Sequence, residues 1–524
     1  MKFIIPLLTL YNLYIASSRA ADTTTVNTPS GDVIGIGIPV SGLNNSKTYQ
    51  FRKIPYAKPP VGNLRFAKPQ PYGSWQGVLN ATEFGPSCIQ QLDDFSKRVL
   101  PNTDISEDCL FLNIYVPNKV NTTKIRPAMV WIHGGAYMAG QGMLYDAGFM
   151  AVKGDVIIVT INYRLGFFGF MTLGSYNTTG NSKLEEVRGN FGLWDQIAAL
   201  RWVSNNIASF GGDPHSLTIF GESAGGFSVS LLSLIPQNKN LFHRVIAQSG
   251  FATSFDAMSR VAIPTTFEIG FEAGCKLANP DSFLICLRQK PAEELLNATF
   301  TVLAKPSPLV HLMLPLGPVV DHELFQDFPE NLLQNNSSDV YKFFTTLQVI
   351  IGNVNSEGSL IIDKIIAHGE EQRFHFDIQK GLPYSVFCDY VVKSLCSDYF
   401  DNNTDVSTAI CQEYEAPYSD AVQAQHAVDL YTDLYFLSRT ISSLRTHATT
   451  GLFISRYQYV FTRDRKHDVF HDPGALPSWF QGASHGSELQ YLFGMRDSPY
   501  PVPAEDLTLS DNMIAYWTNF AWNG

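Results

Sequence analysis

The chain has 524 residues, of which 45% are hydrophobic and 16% are charged, a composition typical of a folded globular protein rather than a disordered one. Its formal net charge of −11 argues against a nucleic-acid partner, because nucleic-acid-binding surfaces carry clustered positive charge. Length alone would favour three or four domains.

The N-terminal segment has the pattern of a secretory signal peptide. Lys2 precedes an apolar stretch over residues 3–15, and small residues follow up to Ala20 and Ala21. The apolar stretch is too short and too interrupted to span a bilayer comfortably, although an uncleaved anchor is the alternative. We therefore expect residues 1–20 to be cleaved and the protein to be secreted or luminal, and we find no other stretch that is long and apolar enough to span a membrane.

Two further patterns are typical of the secretory pathway. Single N-x-S/T sequons arise by chance, but the number here favours a glycosylated surface. The sequons lie at Asn44, Asn80, Asn121, Asn177, Asn297, Asn335, Asn336 and Asn402. The chain also has seven cysteines and no C-x-x-C cluster, so we expect no metal, cofactor or redox centre.

The cysteine spacing indicates disulfides in an oxidising compartment. Cys88 and Cys109 flank one loop, Cys275 and Cys286 flank another, and each pair would close its loop. Of the remaining three, two could pair and one would stay free, and the sequence does not decide which. These three are Cys388, Cys396 and Cys411.

Apolar, β-branched runs alternate with helical stretches along the chain, which predicts a doubly wound α/β fold. Residues 31–52 suggest an antiparallel edge, and residues 193–207 have helical periodicity. Strands are predicted over residues 128–132, 156–161, 217–220, 245–247, 349–351 and 452–460. Most of these runs are apolar on both faces, as in a parallel sheet covered by helices.

A serine lies at the centre of the segment Gly-Glu-Ser-Ala-Gly over residues 221–225. The predicted strand before it and the small residues after it indicate a strand, a sharp turn and a helix, with the hydroxyl of Ser223 clear of the sheet edge. The flanking glycines avoid collisions with the neighbouring strand and helix. Because this motif also recurs by chance, the assignment of Ser223 as a nucleophile depends on partners elsewhere in the chain.

A serine hydroxyl needs a base, and the base needs a third group, normally a carboxylate, to hold it. Glu357 follows the predicted strand over residues 349–351, where a sheet edge would place it beside the serine; a surface glutamate is the alternative. Two glycines can present His485 in a turn, whereas His467 and His471 lie in a charged loop. The order serine, acid, histidine is that of α/β-hydrolases.

The segment His-Gly-Gly-Ala over residues 133–136 directly follows a predicted buried strand. Attack on a carbonyl creates an oxyanion, which needs N–H donors in a dry site. We expect Gly134 and Gly135 to supply two N–H groups and Ala224, behind the nucleophile, to supply the third. An ordinary Gly-Gly turn is the alternative, but the position upstream of the serine motif favours an oxyanion hole.

Together these motifs resemble the type-B carboxylesterase/cholinesterase family of α/β-hydrolases. The matching segments run in family order over nearly the whole chain, at residues 51–57, 107–113, 133–136, 162–166, 221–225, 248–250 and 482–489. The resemblance implies a large, mostly parallel sheet with helices on both faces. It also implies that Ser223, Glu357 and His485 form a catalytic triad, and that Cys88–Cys109 and Cys275–Cys286 are disulfides.

Because the catalytic parts extend from residue 133 to residue 485, we expect one catalytic domain over residues 21–524. Glu222 and Ser249 are expected to support the triad as nearby polar groups, with simple packing as the alternative. Four charged residues in family motifs are expected to build buried ion pairs: Arg52, Glu107, Arg164 and Asp195.

The chain departs from the family pattern at three points. Cholinesterases carry a tryptophan in the first disulfide loop that stacks on a quaternary ammonium; here the corresponding position is about Val99, and the loop has no tryptophan. This favours general carboxylesterases over choline esterases. His322 replaces a glycine, for which the sequence offers no reason. Family members also continue for tens of residues beyond the position of Gly524, so we expect a truncated C-terminus, with a short form of the protein as the alternative.

We therefore expect a serine carboxylesterase that cleaves small to medium uncharged esters through an acyl-enzyme. A catalytically weak cell-surface adhesion protein of the same family is the alternative from another class. A lipase or a hormone-ester hydrolase is a narrower alternative among enzymes. The expected partner is a small-molecule ester, with no nucleic acid and no cofactor.

Overall fold

A computed structural model describes residues 22–43, 45–92, 97, 104–174, 187–277, 279–305, 314–367, 370–449, 453–464, 476–494 and 501–524. Several predicted features lie outside the described residues. These are the signal peptide over residues 1–20, the sequons at Asn44 and Asn177, the position Val99, and the two histidines His467 and His471.

The described residues form one eleven-stranded sheet in which β4 pairs only with β2 and the other strands follow the order β1-β2-β3-β5-β7-β6-β8-β9-β10-β11. The strands are β1 Thr23–Thr28, β2 Gly31–Pro39, β3 Lys47–Pro55, β4 Val78–Asn80, β5 Phe111–Pro117, β6 Arg126–Ile132, β7 Ile157–Ile161, β8 Gly212–Glu222, β9 Arg244–Gln248, β10 Gln348–Val354 and β11 Arg456–Phe461.

Apart from the short β4, which pairs parallel with β2, the sheet is antiparallel at its N-terminal side and parallel over the rest. Strands β1, β2, β3, β5 and β7 pair antiparallel in that order, and β7, β6, β8, β9, β10 and β11 pair parallel. The α/β prediction and the antiparallel edge over residues 31–52 are therefore confirmed. The strand predicted over residues 452–460 begins only at Arg456, after the fully exposed Phe453.

Helices lie between the strands in the chain. The α-helices are Gly148–Gly154, Gly166–Phe170, Phe191–Asn206, Ala224–Leu232, Ala262–Glu272, Pro280–Gln289, Ala292–Leu303, Pro329–Leu332, Asp339–Thr346, Leu360–Ala367, Glu370–Phe374, Tyr384–Val386, Lys393–Tyr399, Thr404–Glu413, Asp420–Tyr431, Ser438–Ala448, Leu489–Leu492 and Leu507–Asn523. Two π-helical segments, Phe387–Val392 and Thr432–Leu437, join neighbouring helices. The helix predicted over residues 193–207 is confirmed as Phe191–Asn206.

Both faces of the sheet are buried, as the continuous apolar runs predict. Alternate side chains of β6 point to opposite faces. Val130 packs in a core that includes Leu231 of the helix Ala224–Leu232, whereas Trp131 packs in a core that includes Trp517 of the helix Leu507–Asn523. A third apolar cluster lies among the helices between residues 361 and 480. The parallel strands are therefore covered by helices on both sides.

The structure contains three disulfides among its described residues: Cys88–Cys109, Cys275–Cys286 and Cys388–Cys411. The third answers the question that the sequence left open, since Cys396 stays a free, buried thiol. The described sequons all lie on the surface, with exposed asparagines at Asn80, Asn121, Asn297, Asn335, Asn336 and Asn402. Within the described residues no helix is long and apolar enough to cross a bilayer.

Two largely buried ion pairs connect segments that lie outside the strands. Arg164 binds both carboxylate oxygens of Asp195 at 2.7 Å, and Asp195 is fully buried. Glu107 pairs with Arg65 through two hydrogen bonds of 2.5 and 2.6 Å. The expectation for Arg52 is not met in the described part of the chain: its guanidinium donates to Gln50 Oε1 and to a backbone carbonyl, without an acidic partner there.

Candidate active site

Ser223 lies at the junction of β8 and the helix Ala224–Leu232, with φ 55° and ψ −123°. Such positive φ is costly for a residue with a side chain and is characteristic of a nucleophile elbow. Its N–H donates to the carbonyl of Gln248 at 2.9 Å, and its carbonyl accepts from Phe227 N–H at 2.8 Å. A Cβ on Gly225 would collide with the carbonyl oxygen of Ile132. These contacts hold the strained turn that the sequence predicts.

Glu357 and His485 are hydrogen-bonded. Glu357 follows β10 and is fully buried, and its Oε2 accepts from Nδ1 of His485 at 2.6 Å while its Oε1 accepts from the N–H of Val354 at 2.9 Å. The backbone N–H of His485 donates to Ser359 Oγ at 3.0 Å. Since a carboxylate only accepts, Nδ1 carries the proton, and Nε2 of the neutral ring is left with the lone pair that a base needs.

The nitrogen Nε2 of His485 faces a second carboxylate. Its distance to Oε1 of Glu222 is 3.2 Å, but neither atom has an aligned hydrogen bond within the described residues. The structure thus brings Glu357, His485 and Glu222 together. Ser223 directly follows Glu222 in the chain. Within the described residues its Oγ makes no hydrogen bond to Nε2 of His485.

Three buried carboxyl groups surround the imidazole: Glu222, Glu357 and Glu488. Burial raises the pKa of Glu222 and of Glu488, and repulsion among the carboxyls adds to both rises. Burial alone would lower the pKa of His485, but the charge of Glu222 and the hydrogen bond to Glu357 outweigh it, and the pKa lies above its ordinary value.

Glu222 can raise the pKa of His485 only while it is itself ionised, so these groups titrate as one coupled unit. The hydrogen bond to Glu357, which is 2.6 Å long, also raises the pKa of His485. An ionised cluster would stabilise an imidazolium at His485, which is the species that forms when a histidine takes the proton of a nucleophile.

His133 holds the first peptide of the glycine-rich loop. Its Nδ1 donates to the carbonyl oxygen of Gly134 at 2.8 Å, and its ring stacks on Tyr163 with 4.5 Å between the centroids. Burial lowers the pKa of His133 to about 4, so the ring is neutral at physiological pH. A Cβ on Gly140 would collide with Nδ1 and would lie 2.7 Å from the carbonyl oxygen of Gly134.

The glycine-rich loop beside Ser223 has two N–H groups, those of Gly135 and Ala136, that make no hydrogen bond within the loop. The carbonyl of Gly135 accepts from Met138 N–H at 2.8 Å and from Ala139 N–H at 3.0 Å. In a trans peptide the C=O and the following N–H point in opposite directions. The N–H groups of Gly135 and Ala136 therefore point away from the bonded carbonyls, and neither has an intramolecular acceptor within the described residues.

The loop also contacts the nucleophile turn. A Cβ on Gly134 would lie 3.1 Å from Cβ of Ser223 and 2.7 Å from the carbonyl oxygen of Glu222. The N–H of Ala224, the first residue of the helix after Ser223, is likewise without an acceptor inside the described part of the protein. All three predicted donors, Gly134, Gly135 and Ala224, have N–H groups without an acceptor among the described residues, and Ala136 is an additional one that sequence reasoning missed.

Two residues outside the predicted triad also take part in the cluster. Glu488 lies three positions after His485 and contributes a third carboxyl, and Phe436 packs its ring 5.5 Å from the imidazole. Nothing local in the sequence marks either one. The predicted Ser249 is fully buried with φ 49°, and its N–H donates to the carbonyl of Gly352, so it anchors the strand end beside the elbow.

His322 occupies a position whose backbone conformation favours glycine, and nothing in the described residues explains the histidine. Its φ is 56°, in the left-handed region where glycine is favoured, and its N–H donates to the carbonyl of Phe325 at 2.9 Å. The carboxylate of Asp321 accepts three N–H groups of this turn. The turn therefore tolerates the strained histidine, and it lies apart from the cluster around His485.

The chain is similar to known proteins of one family. The model of the carboxylesterase family matches residues 22–524. The pig (Sus scrofa) protein "Liver carboxylesterase" is 34% identical over 97% of this chain and 86% of its own length. The duck (Anas platyrhynchos) protein "Fatty acyl-CoA hydrolase precursor, medium chain" is 32% identical over 97% of this chain and 86% of its own.

A relative with a different name matches as well. Mouse (Mus musculus) neuroligin-3 is 31% identical over 98% of this chain, which spans 63% of the length of that protein. The family match, which extends over nearly the whole sequence, and the α/β sheet with its serine turn lead to one assignment. The chain belongs to the carboxylesterase family.

Proposed function

We propose that the protein hydrolyses small to medium uncharged carboxylic esters through an acyl-enzyme. That it is a carboxylesterase follows from the family assignment and from the similarity to named carboxylesterases. The proposal concerns the mechanism and the substrate class. The single observation that carries it is the hydrogen bond of 2.6 Å between Glu357 and His485 beside a serine in a strained turn.

In the proposed mechanism Ser223 attacks the ester carbonyl. His485 takes the hydroxyl proton at Nε2 and later returns it to the leaving alcohol, while Glu357 holds the ring and stabilises the imidazolium. A rotation of the imidazole or of the serine side chain brings Oγ to Nε2 in the substrate complex, since catalytic hydrogen bonds are often incomplete without substrate. A water molecule then releases the acid by the same steps.

Backbone donors would stabilise the oxyanion. The predicted set is Gly134, Gly135 and Ala224, and the free N–H of Ala136 is a further member. Each donor that acts in a dry site lowers the activation barrier by roughly 3 kcal/mol. Since the proposed groups extend from residue 133 to residue 485, we infer that residues 21–524 act as one catalytic domain.

The disulfides and the exposed sequons support a secreted or luminal location. They do not distinguish an enzyme from the alternative, a catalytically weak adhesion protein of the same family, and the match to neuroligin-3 fits that alternative. The complete set of serine, histidine and glutamate favours the enzyme, because an adhesion protein has no use for a hydrogen-bonded base beside a strained serine.

A panel of esters tests the proposal. Purified protein is assayed with p-nitrophenyl esters of increasing acyl length, together with choline and alkyl esters, and the Ser223→Ala variant serves as the matched control. We expect saturable hydrolysis of short and medium acyl chains that disappears in the variant. Absence of hydrolysis by the folded wild type, or equal rates in the variant, would contradict the proposed mechanism.

A further inference from the structure

A chain of hydrogen bonds links the C-terminal helix to the carboxyl cluster around His485. The indole N–H of Trp517 donates to Oε1 of Gln248 at 3.0 Å, and Nε2 of Gln248 donates to Oε1 of Glu488 at 3.1 Å. All three side chains are buried. They come from the helix Leu507–Asn523, the end of β9 and the turn after His485, so the chain joins three separate parts of the fold.

The indole of Trp517 fixes the direction of these hydrogen bonds. An indole N–H only donates, so the oxygen of the Gln248 amide must face Trp517, and its NH₂ group must face Glu488. An NH₂ donor favours the ionised carboxyl over the protonated one. If the indole N–H were absent, the amide could turn over and present its oxygen to Glu488, an arrangement that suits the protonated carboxyl.

The charge of Glu488 depends on its buried surroundings and on the hydrogen bonds that its carboxyl group accepts. The titratable groups that face it are Glu357, His485 and Glu222 of the cluster and Tyr459 of β11. Burial and the charge of Glu357 both oppose ionisation of Glu488, whereas a hydrogen bond from its own backbone N–H, the bond from Gln248 and the imidazole of His485 favour it.

Gln248 is also bonded to the nucleophile turn. Its backbone carbonyl accepts the N–H of Ser223 at 2.9 Å, while its side chain lies between Trp517 and Glu488. The ring of Trp517 packs 5.0 Å from that of Tyr459. The position of Gln248 is therefore fixed from the backbone as well as from the helix.

We propose that Trp517 and Gln248 are positioning residues: they aim an amide donor at Glu488, favour its ionised form and thereby stabilise the imidazolium of His485. This role in catalysis rests on the proposed ester hydrolysis. The two residues act through Glu488, so their loss should change the titration of His485 rather than remove the base.

The test replaces the indole donor and follows the imidazole directly. In Trp517→Phe the amide is free to turn, Glu488 becomes more protonated, and the pKa of His485 falls. We expect a fall on the order of half a pH unit to one unit, measured by ¹⁵N NMR of histidine-labelled protein. The His485 signal is assigned by its absence in His485→Ala. The acid limb of kcat/KM for an ester should move to lower pH by the same amount, and kcat should fall about tenfold.

Trp522→Phe is the matched control. Trp522 lies on the same helix, and its indole N–H donates to the carbonyl of Gly154 at 3.1 Å, so this variant loses a similar bond away from the cluster. It should leave the titration of His485 and the acid limb unchanged. An equal shift in both variants, or no shift in Trp517→Phe, would overturn the proposal.

A further variant keeps the test possible if Trp517→Phe does not fold. Glu488→Gln removes the charge at the end of the chain and should by itself lower the pKa of His485; an unchanged pKa would overturn the proposal. If both single variants fold, Trp517→Phe should add no further shift in the Glu488→Gln background. A wild type without esterase activity would refute the proposed function alone, because the NMR titration still reports on the positioning chain.

Discussion

The carboxylate of Glu222 lies 3.2 Å from Nε2 of His485, the ring nitrogen opposite the one that is bonded to Glu357. Both nitrogens of one imidazole thus face an acid. A negative charge on Glu222 stabilises the imidazolium and so raises the pKa of His485. As a consequence, a smaller fraction of His485 is the neutral base at low pH. The pair therefore links the pH dependence of the enzyme to a residue adjacent to Ser223, the proposed nucleophile.

The first prediction concerns this pair. Since His485 must be neutral to act as a base and its pKa lies above the ordinary value, kcat/KM should rise with pH through and above neutrality. Glu222→Gln removes an anion beside the imidazolium, so the pKa should fall and the acid limb should move to lower pH by on the order of one unit. The pH profile of kcat/KM measures this, with Glu505→Gln on the exposed surface as the control. An acid limb that stays in place would show that Glu222 is already protonated.

The second prediction concerns Glu357 and His485 as one unit. His485→Ala removes the base, and Glu357→Gln keeps the shape but loses the charge that holds the imidazolium. Each change should lower kcat by roughly 10⁴. The kcat of the double variant should be little lower than that of the less active single variant, because nothing is left for the second residue to assist. Circular dichroism checks folding.

Two results would contradict this view of Glu357 and His485. Near wild-type activity in Glu357→Gln would mean that another carboxylate, of which Glu222 and Glu488 are the nearest candidates, orients the ring. Multiplication of the two single defects in the double variant would mean that the residues do not share one proton-transfer step.

The third prediction tests the glycine-rich loop. Gly140→Ala would bring a methyl group against Nδ1 of His133 and to 2.7 Å from the carbonyl of Gly134, which displaces the peptides that carry the oxyanion donors. We expect kcat to fall on the order of 10²-fold. Gly77→Ala is the matched control: it also has positive φ, but a Cβ there would meet nothing within 4 Å. Equal losses in both variants would indicate backbone strain alone.

The fourth prediction concerns choline esters. The first disulfide loop between Cys88 and Cys109 has no tryptophan, and cation–π contact with a quaternary ammonium is worth roughly 0.5–2 kcal/mol. We expect kcat/KM for a choline ester to fall below that for a neutral ester of the same size. Comparable values for acetylcholine and its neutral isostere would show that other aromatic side chains bind the ammonium group.

Local patterns in the sequence predicted the parts of the fold and site that depend on neighbours along the chain. The turn at Ser223 is an example, because the strand, the glycines and the helix that shape it are contiguous. The apolar runs that became β6, β7, β8, β9 and β10 are another, since burial on both faces leaves a continuous hydrophobic signature.

Contacts between distant segments could not be read in this way. Glu107 pairs with Arg65 rather than with a motif residue, and no local pattern connects Gln248 with Trp517, which lies 269 positions away. The choice of Cys388–Cys411 over the alternatives also depends on how two helices pack. Glu357 was selected by its place after a predicted strand and His485 by its glycine turn, and the likeness to a known family implied the same two residues.

The most direct test of the central claim is covalent labelling of the nucleophile. A serine that is activated by His485 and Glu357 should be phosphonylated by an organophosphate, with loss of activity, and intact mass followed by peptide mapping should place one adduct on Ser223. Glu357→Gln should react far more slowly, and Ser223→Ala should not react at this site. A folded wild-type protein that loses no activity and carries no adduct on the peptide with Ser223 would contradict the account.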